Sequence, residues 1–458
     1  QMIAITSDLD YKTRPNNYEL NHIPGTKGLP LIGNALPFIK DMLADSRGRV
    51  EKFGKVSRIV IADQTGLLVV GADNFKTIMI DRDNNFSNEM AYAQQLGAFY
   101  RGGLLLLDFD EHRMQRRIMQ QAFKFSTMKH YMEPLNERFR DSLINWPKDT
   151  ELKFYFEIKK VLLDIGSKIF LGEKEFTQES EMVNQAFSDV SGGLGSVLRF
   201  NLIGTKFHRG LQGKSALADY VARKIPHRRA GDGEDVLSHM CRERTEKGEF
   251  FSDKEIIQHT TFLLFAAHDT TTSVLSHMVM YVGSRPEYQN RLRQECLALG
   301  TDELSYDDLD KLPEFEHCFE EVLRLHPPVP MSMRRTIRET ILGGHAIPPD
   351  TLLFMPTCYN QRDPEYWADP DVFDPSRFSE PRNEQKNHSF CYHPFGGGAH
   401  KCIGMHFALM LSKCFIFHLL RNFEVSTPPG YAPVLDWVPI PKPSDGVPIR
   451  LKAINSSI

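Results

Sequence analysis

Apolar residues come in short runs near the start of the chain and afterwards recur three and four positions apart. Residues 56–62 and 66–71 are rich in β-branched and apolar side chains and are separated by Asp63-Gln64-Thr65, which predicts a hairpin. Helical periodicity then dominates as far as Gly300. Ahead of the hairpin, Ile23-Pro24-Gly25 and Gly28-Leu29-Pro30 form a stiff series of turns. Residues 430–451 are proline-rich and hold only short extended pieces, which predicts a terminal hairpin or loop.

Two helices stand out. Ser252-Asp253-Lys254-Glu255 fits a capping box ahead of a long apolar stretch, and Pro286 marks its end. From Asp253 to Arg285 that helix has 33 residues, about 50 Å at the standard rise, enough to cross a whole domain. A second apolar helix begins near Met405 and carries Phe407, Leu409, Met410, Leu411, Phe415, Ile416, Leu419 and Leu420. The fold class is mainly α, a large helical body with a smaller β-rich region. Residues 1–458 are read as one domain, its β-rich part covering about 20–80 with parts of 330–360 and 430–451.

Composition narrows the function. Hydrophobic residues make up 41% and charged residues 25%, enough to bury a core and an apolar pocket, and no low-complexity linker divides the chain. The net charge of −4 gives no general attraction to nucleic acid, which is not an expected partner. Seven scattered cysteines form no disulfide framework, as in a reducing compartment, so a cytoplasmic location is expected. Residues 1–21 are polar and lack a charged-then-apolar signal.

The strongest chemical signal is Phe395-Gly396-Gly397-Gly398-Ala399-His400-Lys401-Cys402-Ile403-Gly404, just before the second helix. The glycines allow tight turns and close approach to a flat ligand. The first N–H groups of the following helix point back toward Cys402 and favour an anionic sulfur. A thiolate on haem iron pushes electron density that favours O–O cleavage. A zinc site drawn from Cys391, His393, His400 and Cys402 is the competing reading, although its spacing departs from the paired pattern of structural zinc.

The stretch resembles the haem signature of the cytochrome P-450 monooxygenases, Phe-x-x-Gly-x-x-x-Cys-x-Gly, at Phe395, Gly398, Cys402 and Gly404. The resemblance implies haem b with Cys402 as the axial thiolate. Ala266-Ala267-His268-Asp269-Thr270-Thr271 resembles the family's distal segment, with Ala where glycine is common at 267, and implies Asp269 and Thr270 as the proton-delivering pair. The alternative for such a threonine is a hydrogen bond to the carbonyl one turn back. Glu321-x-x-Arg324 with Arg377 resembles the family's buried ion network. His112, Arg116, Arg334 (or its neighbour Arg335) and His400 are candidates for the haem propionates.

The resemblance also implies dioxygen as co-substrate and electrons from a separate ferredoxin or flavodoxin with its reductase, since no flavin or iron–sulfur fingerprint occurs. Arg113 and Arg117, one turn apart on the outer side of the His112 helix, would dock that partner together with Lys401. A monomer is expected. Eukaryotic members of the family usually carry an anchor ahead of such a proline-rich start. The pocket candidates are Phe262, Ala266, Tyr92, Leu96 and Phe99, with Tyr100, Leu194, Phe200 and Phe207 nearby, favouring a terpenoid, steroid or fatty-acid-like substrate. Two other functions compete: a peroxide-using or rearranging haem-thiolate enzyme, and a non-catalytic haem-based ligand binder.

Overall fold

The computed structural model describes residues 20–61, 64–173, 178–196, 199–244 and 248–454. The polar segment 1–19 and the tip of the predicted hairpin at Asp63 lie outside the described residues. The mainly α expectation holds. In chain order the helices are α1 (Ala35–Lys40), α2 (Met42–Phe53), α3 (Ala72–Ile80), α4 (Glu89–Tyr100), α5 (Phe109–Met119), α6 (Phe125–Asn145), α7 (Phe154–Leu171) and α8 (Gln178–Leu194). They continue with α9 (Lys206–Ala230), α10 (Val236–Arg242), α11 (Asp253–Ser284), α12 (Pro286–Ala298), α13 (Pro313–Leu325), α14 (Thr357–Asn360) and α15 (Met405–Asn422).

The predicted hairpin is present as strands β1 (Val56–Ile61) and β2 (Gln64–Val69), paired antiparallel from Val56↔Val69 to Ile61↔Gln64. With β3 (Phe86–Ser87), β5 (Ser332–Thr336) and β8 (Leu352–Met355) it forms a five-stranded sheet in the order β1-β2-β8-β5-β3, and between β5 and β8 the strands β6 (Thr340–Leu342) and β7 (His345–Ile347) pair as a separate hairpin. This sheet is thus assembled from two stretches far apart in the chain, 56–87 and 332–355, and residues 20–80 also hold α1, α2 and α3. One strand group escaped the sequence reading. β4 (Glu151–Lys153) and β9 (Phe423–Ser426) flank β12 (Pro448–Ala453), so the C-terminal strand pairs with distant segments as well as following the small hairpin β10 (Leu435–Asp436)–β11 (Lys442–Pro443).

Helix α11 runs unbroken from Asp253 to Ser284, 32 residues, and its start is the predicted capping box: Ser252 Oγ accepts from the Glu255 amide while the Glu255 carboxylate accepts from the Ser252 amide. It packs chiefly along α7. Behind the cysteine loop, α15 buries Phe415, Phe417, Leu419 and Leu420 almost completely, each side chain contributing about 1.5–3 kcal/mol by leaving water. Phe407 at its start is ringed edge-on by Phe123, Tyr131 and Phe170 with centroids 6.3, 6.0 and 5.6 Å away. By length and composition residues 398–422 could cross a membrane, but 67% of its apolar 18-residue stretch is buried inside the protein, as in a core helix.

Candidate active site

The glycines of the 395–404 loop do what close approach demands. Gly396 and Gly398 have φ of 71° and 61°, a region open to glycine and costly for other residues. A Cβ on Gly398 would lie 1.8 Å from the Met79 carbonyl oxygen, and one on Gly397 2.5 Å from the Phe390 ring. The loop is therefore pressed flat onto α3. The Cys402 amide closes it by donating to Phe395 O at 2.9 Å, and Gly404 caps α15.

Cys402 alone among the seven cysteines is exposed. Yet burial is the largest influence on its thiol and pushes the pKa up, opposed by a hydrogen bond from the Gly404 amide and by the charges of Arg116 and Lys401. The residue is thus accessible while its thiol is crowded by surrounding protein. Cys414, one helical stretch later, is fully buried within α15 with its sulfur 3.5 Å from Asn136 Oδ1. It faces packed protein.

Around Cys402 a set of cationic and donor groups gathers, with the Asp108 and Asp81 carboxylates near enough to act on Arg334 without pairing with it. His112 on α5 and His400 stack with centroids 3.8 Å apart, and Asn88 Nδ2 lies 2.8 Å from His400 Nδ1. Burial, then the charges of Arg116, Arg334 and Arg113, push His112 down to about 4; burial, Arg334, His112 and Arg116 likewise push His400 down. Nδ1 of His112 is buried with no partner. Strand alternation in β5 separates the two arginines: Arg335 pairs with Asp350 at 2.7 Å, whereas buried Arg334 donates to the Met333 carbonyl at 2.8 Å. Among the described residues neither Arg334 nor Arg116 is paired with a carboxylate. Guanidiniums without a paired carboxylate, an unpartnered imidazole nitrogen and a cradle that a Cβ would fill suit a flat macrocycle with acidic substituents. The group fits.

The zinc alternative does not assemble. His393 turns its ring onto Phe75 at 4.7 Å and bonds Phe390 O, and Cys391 lies under Trp367 and Phe378. Among the described residues no three His, Cys, Asp or Glu side chains converge as metal ligands.

Glu321, Arg324 and Arg377 form a buried ion network. Glu321 accepts from Arg324 Nε at 2.6 Å and Nη2 at 2.8 Å, and from Arg377 Nε at 3.0 Å. Arg377 also donates to Glu384 at 2.6 Å, a second carboxylate that no local spacing announces.

On α11, Ala266 and Thr270 are half-buried and Asp269 buried. Thr270 Oγ1 donates to Ala266 O at 2.7 Å, the back-bond that was the alternative to a relay. Its lone pairs stay free to accept. Asp269 Oδ1 accepts from Lys159 Nζ of α7 at 2.8 Å and lies 3.1 Å from His268 Nδ1. Burial pushes its carboxyl up, but the His268 bond and the Lys159 charge outweigh this and hold it well below the usual range. Neither tie was read from the sequence; Lys159 is 110 residues away.

The pocket candidates divide. Phe262 meets the Tyr100 ring edge-on at 5.8 Å, and Leu96 is half-buried against the same core. Tyr92 instead uses its hydroxyl to accept from the Met333 amide at 3.0 Å. Phe99 is a core wedge rather than a pocket wall: 2% exposed, it packs on Phe207 at 5.5 Å, and the space beside Gly193 and Gly210 is what admits its ring between α8 and α9.

Comparison with known proteins agrees with this geometry. The family model for cytochrome P450 matches residues 23–437. A putative cytochrome P450 136 of Mycobacterium tuberculosis is 34% identical, over 94% of this chain and 90% of its own length. A putative cytochrome P450 120 of Synechocystis is 28% identical over 96% and 99%. The solved structure of a retinoic-acid-bound cyanobacterial CYP120A1 superposes with a TM-score of 0.85 at 27% identity, covering 94% of this chain and 99% of that one. This chain belongs to the cytochrome P450 family of haem-thiolate monooxygenases.

Proposed function

We propose that Cys402 supplies the haem thiolate and that the enzyme oxidises an apolar small molecule of retinoid, terpenoid or similar character, drawing electrons from a separate protein. The observation that carries this reading is the cluster at the loop: Cys402 beside Arg116, His112, His400 and Arg334, whose two guanidiniums have no paired carboxylate among the described residues. Arg116, Arg334, His112 and His400 would hold the propionates. Haem bound there supplies dioxygen binding and O–O bond cleavage.

The chain's own part is positioning and protons. Gly404 and Arg116 stabilise negative charge on the Cys402 sulfur. The Glu321/Arg324/Arg377 network fixes the backbone that leads into the loop. Asp269 holds a proton-exchanging carboxylate at the distal helix, and Thr270 accepts at Oγ1 the hydrogen bond that orders water beside it. Phe262, Phe265 and Tyr100 form an aromatic wall that favours apolar carbon skeletons. Exposed Arg113 and Arg117, with exposed Lys401 on the cysteine side, support docking of an acidic ferredoxin or flavodoxin.

The retinoic acid in the cyanobacterial neighbour favours an apolar substrate with one polar end. The test is a spin-state titration of haem-loaded enzyme with retinoic acid, testosterone and lauric acid. Turnover of any binder under 18O2 follows, with a surrogate ferredoxin and reductase. A spin shift and one labelled oxygen in the product are expected. Absence of a shift with all three, or a product carrying no label, would contradict the reading.

A further inference from the structure

We propose that His268 is a proton-holding residue that loads Asp269, the two forming a coupled donor beside Thr270. This rests on the reading of Asp269 and Thr270 as the proton-delivering pair.

Neighbouring positions on a helix ordinarily diverge, so residues i and i+1 do not face each other. His268 and Asp269 do, because both turn toward α7. The His268 ring is buried, held edge-on by Phe187 of α8 with centroids 5.0 Å apart. Its Nε2 lies 2.9 Å from the Lys159 backbone carbonyl. A carbonyl only accepts, so Nε2 carries a hydrogen. With that as its sole hydrogen, Nδ1 would direct a lone pair at Asp269 Oδ1, 3.1 Å away. Two acceptors at that distance repel, so a further proton lies between them. Lys159 Nζ, 2.8 Å from the same oxygen, favours the carboxylate form of Asp269 and leaves that proton on Nδ1.

The groups facing this pair are few among the described residues. Lys159 comes from α7, α8 contributes the apolar Phe187, and the buried Tyr100 and Tyr155 hydroxyls sense the Asp269 charge after the larger effect of burial. The transfer balances as one proton. Nδ1–H breaks as Oδ1–H forms, and the imidazole is left neutral with its remaining hydrogen on Nε2. Solvent returns the proton from the Lys159 edge, where that side chain is 31% exposed. His268 is thus a positioning and proton-storing residue acting through Asp269.

The test uses haem-loaded full-length enzyme: wild type, His268→Gln, Asp269→Asn and Thr270→Ala. Glutamine can still donate to the Lys159 carbonyl but stores no proton. With 15N-histidine labelling of the reduced, carbon-monoxide-bound protein, the resonances absent from His268→Gln identify His268. Two protonated nitrogens at pH 7 are expected in wild type, with the Nδ1 proton lost in Asp269→Asn. Oxygen consumption driven by NADPH through a surrogate ferredoxin and reductase should fall about tenfold in His268→Gln. Its solvent deuterium effect should grow, with the reduced carbon-monoxide spectrum unchanged. An unprotonated Nδ1 in wild type, or wild-type rates and isotope effect in His268→Gln while Asp269→Asn and Thr270→Ala are impaired, would overturn this proposal alone. Wild-type behaviour in all three variants would instead remove the underlying proton-delivery reading.

Discussion

Replacing Glu321 by glutamine keeps the shape of the side chain and removes its charge at a point where nothing can move to compensate. Glu321 accepts four hydrogen bonds, from Arg324 Nε and Nη2, Arg377 Nε and the Asp374 amide, and the Glu321, Arg324 and Arg377 side chains are at most 1% exposed. A glutamine oxygen has two lone pairs, and its amide hydrogens would face guanidinium donors. At least two bonds are therefore lost and replaced by donor–donor contacts. At about 1.5–3 kcal/mol for each charged bond the cost is about 3–6 kcal/mol, which overlaps the ~3–5 kcal/mol typical of breaking a buried pair. Arg377 keeps Glu384, while Arg324 is left with the carbonyls of Gln361, Pro370 and Val372, so the uncompensated charge falls on Arg324. Urea unfolding of Glu321→Gln, followed by far-UV dichroism and by haem release, should show a loss of about 3–5 kcal/mol at unchanged slope. Joint replacement of Glu321, Arg324 and Arg377 by Leu, Met and Met should cost less than the single change. A glutamine variant within about 0.5 kcal/mol of wild type, with full haem content, would refute the reasoning.

Three further outcomes follow from particular atoms. Burial, reinforced by Glu316, raises the Glu320 carboxyl from 4.5 to about 7; the native state then binds more protons than the unfolded chain, so this group costs stability as pH rises from 4.5 to 7. Glu320→Gln should accordingly raise the melting temperature at pH 8 by the equivalent of up to ~3 kcal/mol and leave it nearly unchanged at about pH 4.5; an equal shift at both pH values would contradict the assignment. Gly398→Ala meets a left-handed φ of 61° and the Met79 carbonyl, about 1–2 kcal/mol from the backbone alone, and should lose haem on gel filtration while the helical dichroism persists. Thr270→Val, which cannot accept or donate at that position, should divert electrons from product to released peroxide, whereas Thr270→Ser should restore coupling; equal peroxide yields from the two would deny the hydroxyl a role.

What could be read in the sequence was local. The capping box at Ser252, the Glu321–Arg324 pair and the Gly398 cradle each need only a few consecutive residues, and each stands in the fold where spacing put it. Distant partners left no such trace. Lys159 reaches Asp269 only because α7 lies along α11, Glu384 reaches Arg377 across a turn, and β12 finds β4 and β9 by tertiary pairing. Phe99 shows the limit of reading aromatics: a helical phenylalanine looks the same whether it lines a pocket or, as here, wedges between two helices at glycines.

The central claim is that Cys402, and not the buried Cys414, binds haem iron as a thiolate. Reduced carbon-monoxide difference spectra of wild type, Cys402→Ser and Cys414→Ser test it directly. The account predicts the long-wavelength thiolate-type band in wild type and Cys414→Ser and its loss in Cys402→Ser; retention of that band in Cys402→Ser, or its absence from wild type, would contradict it.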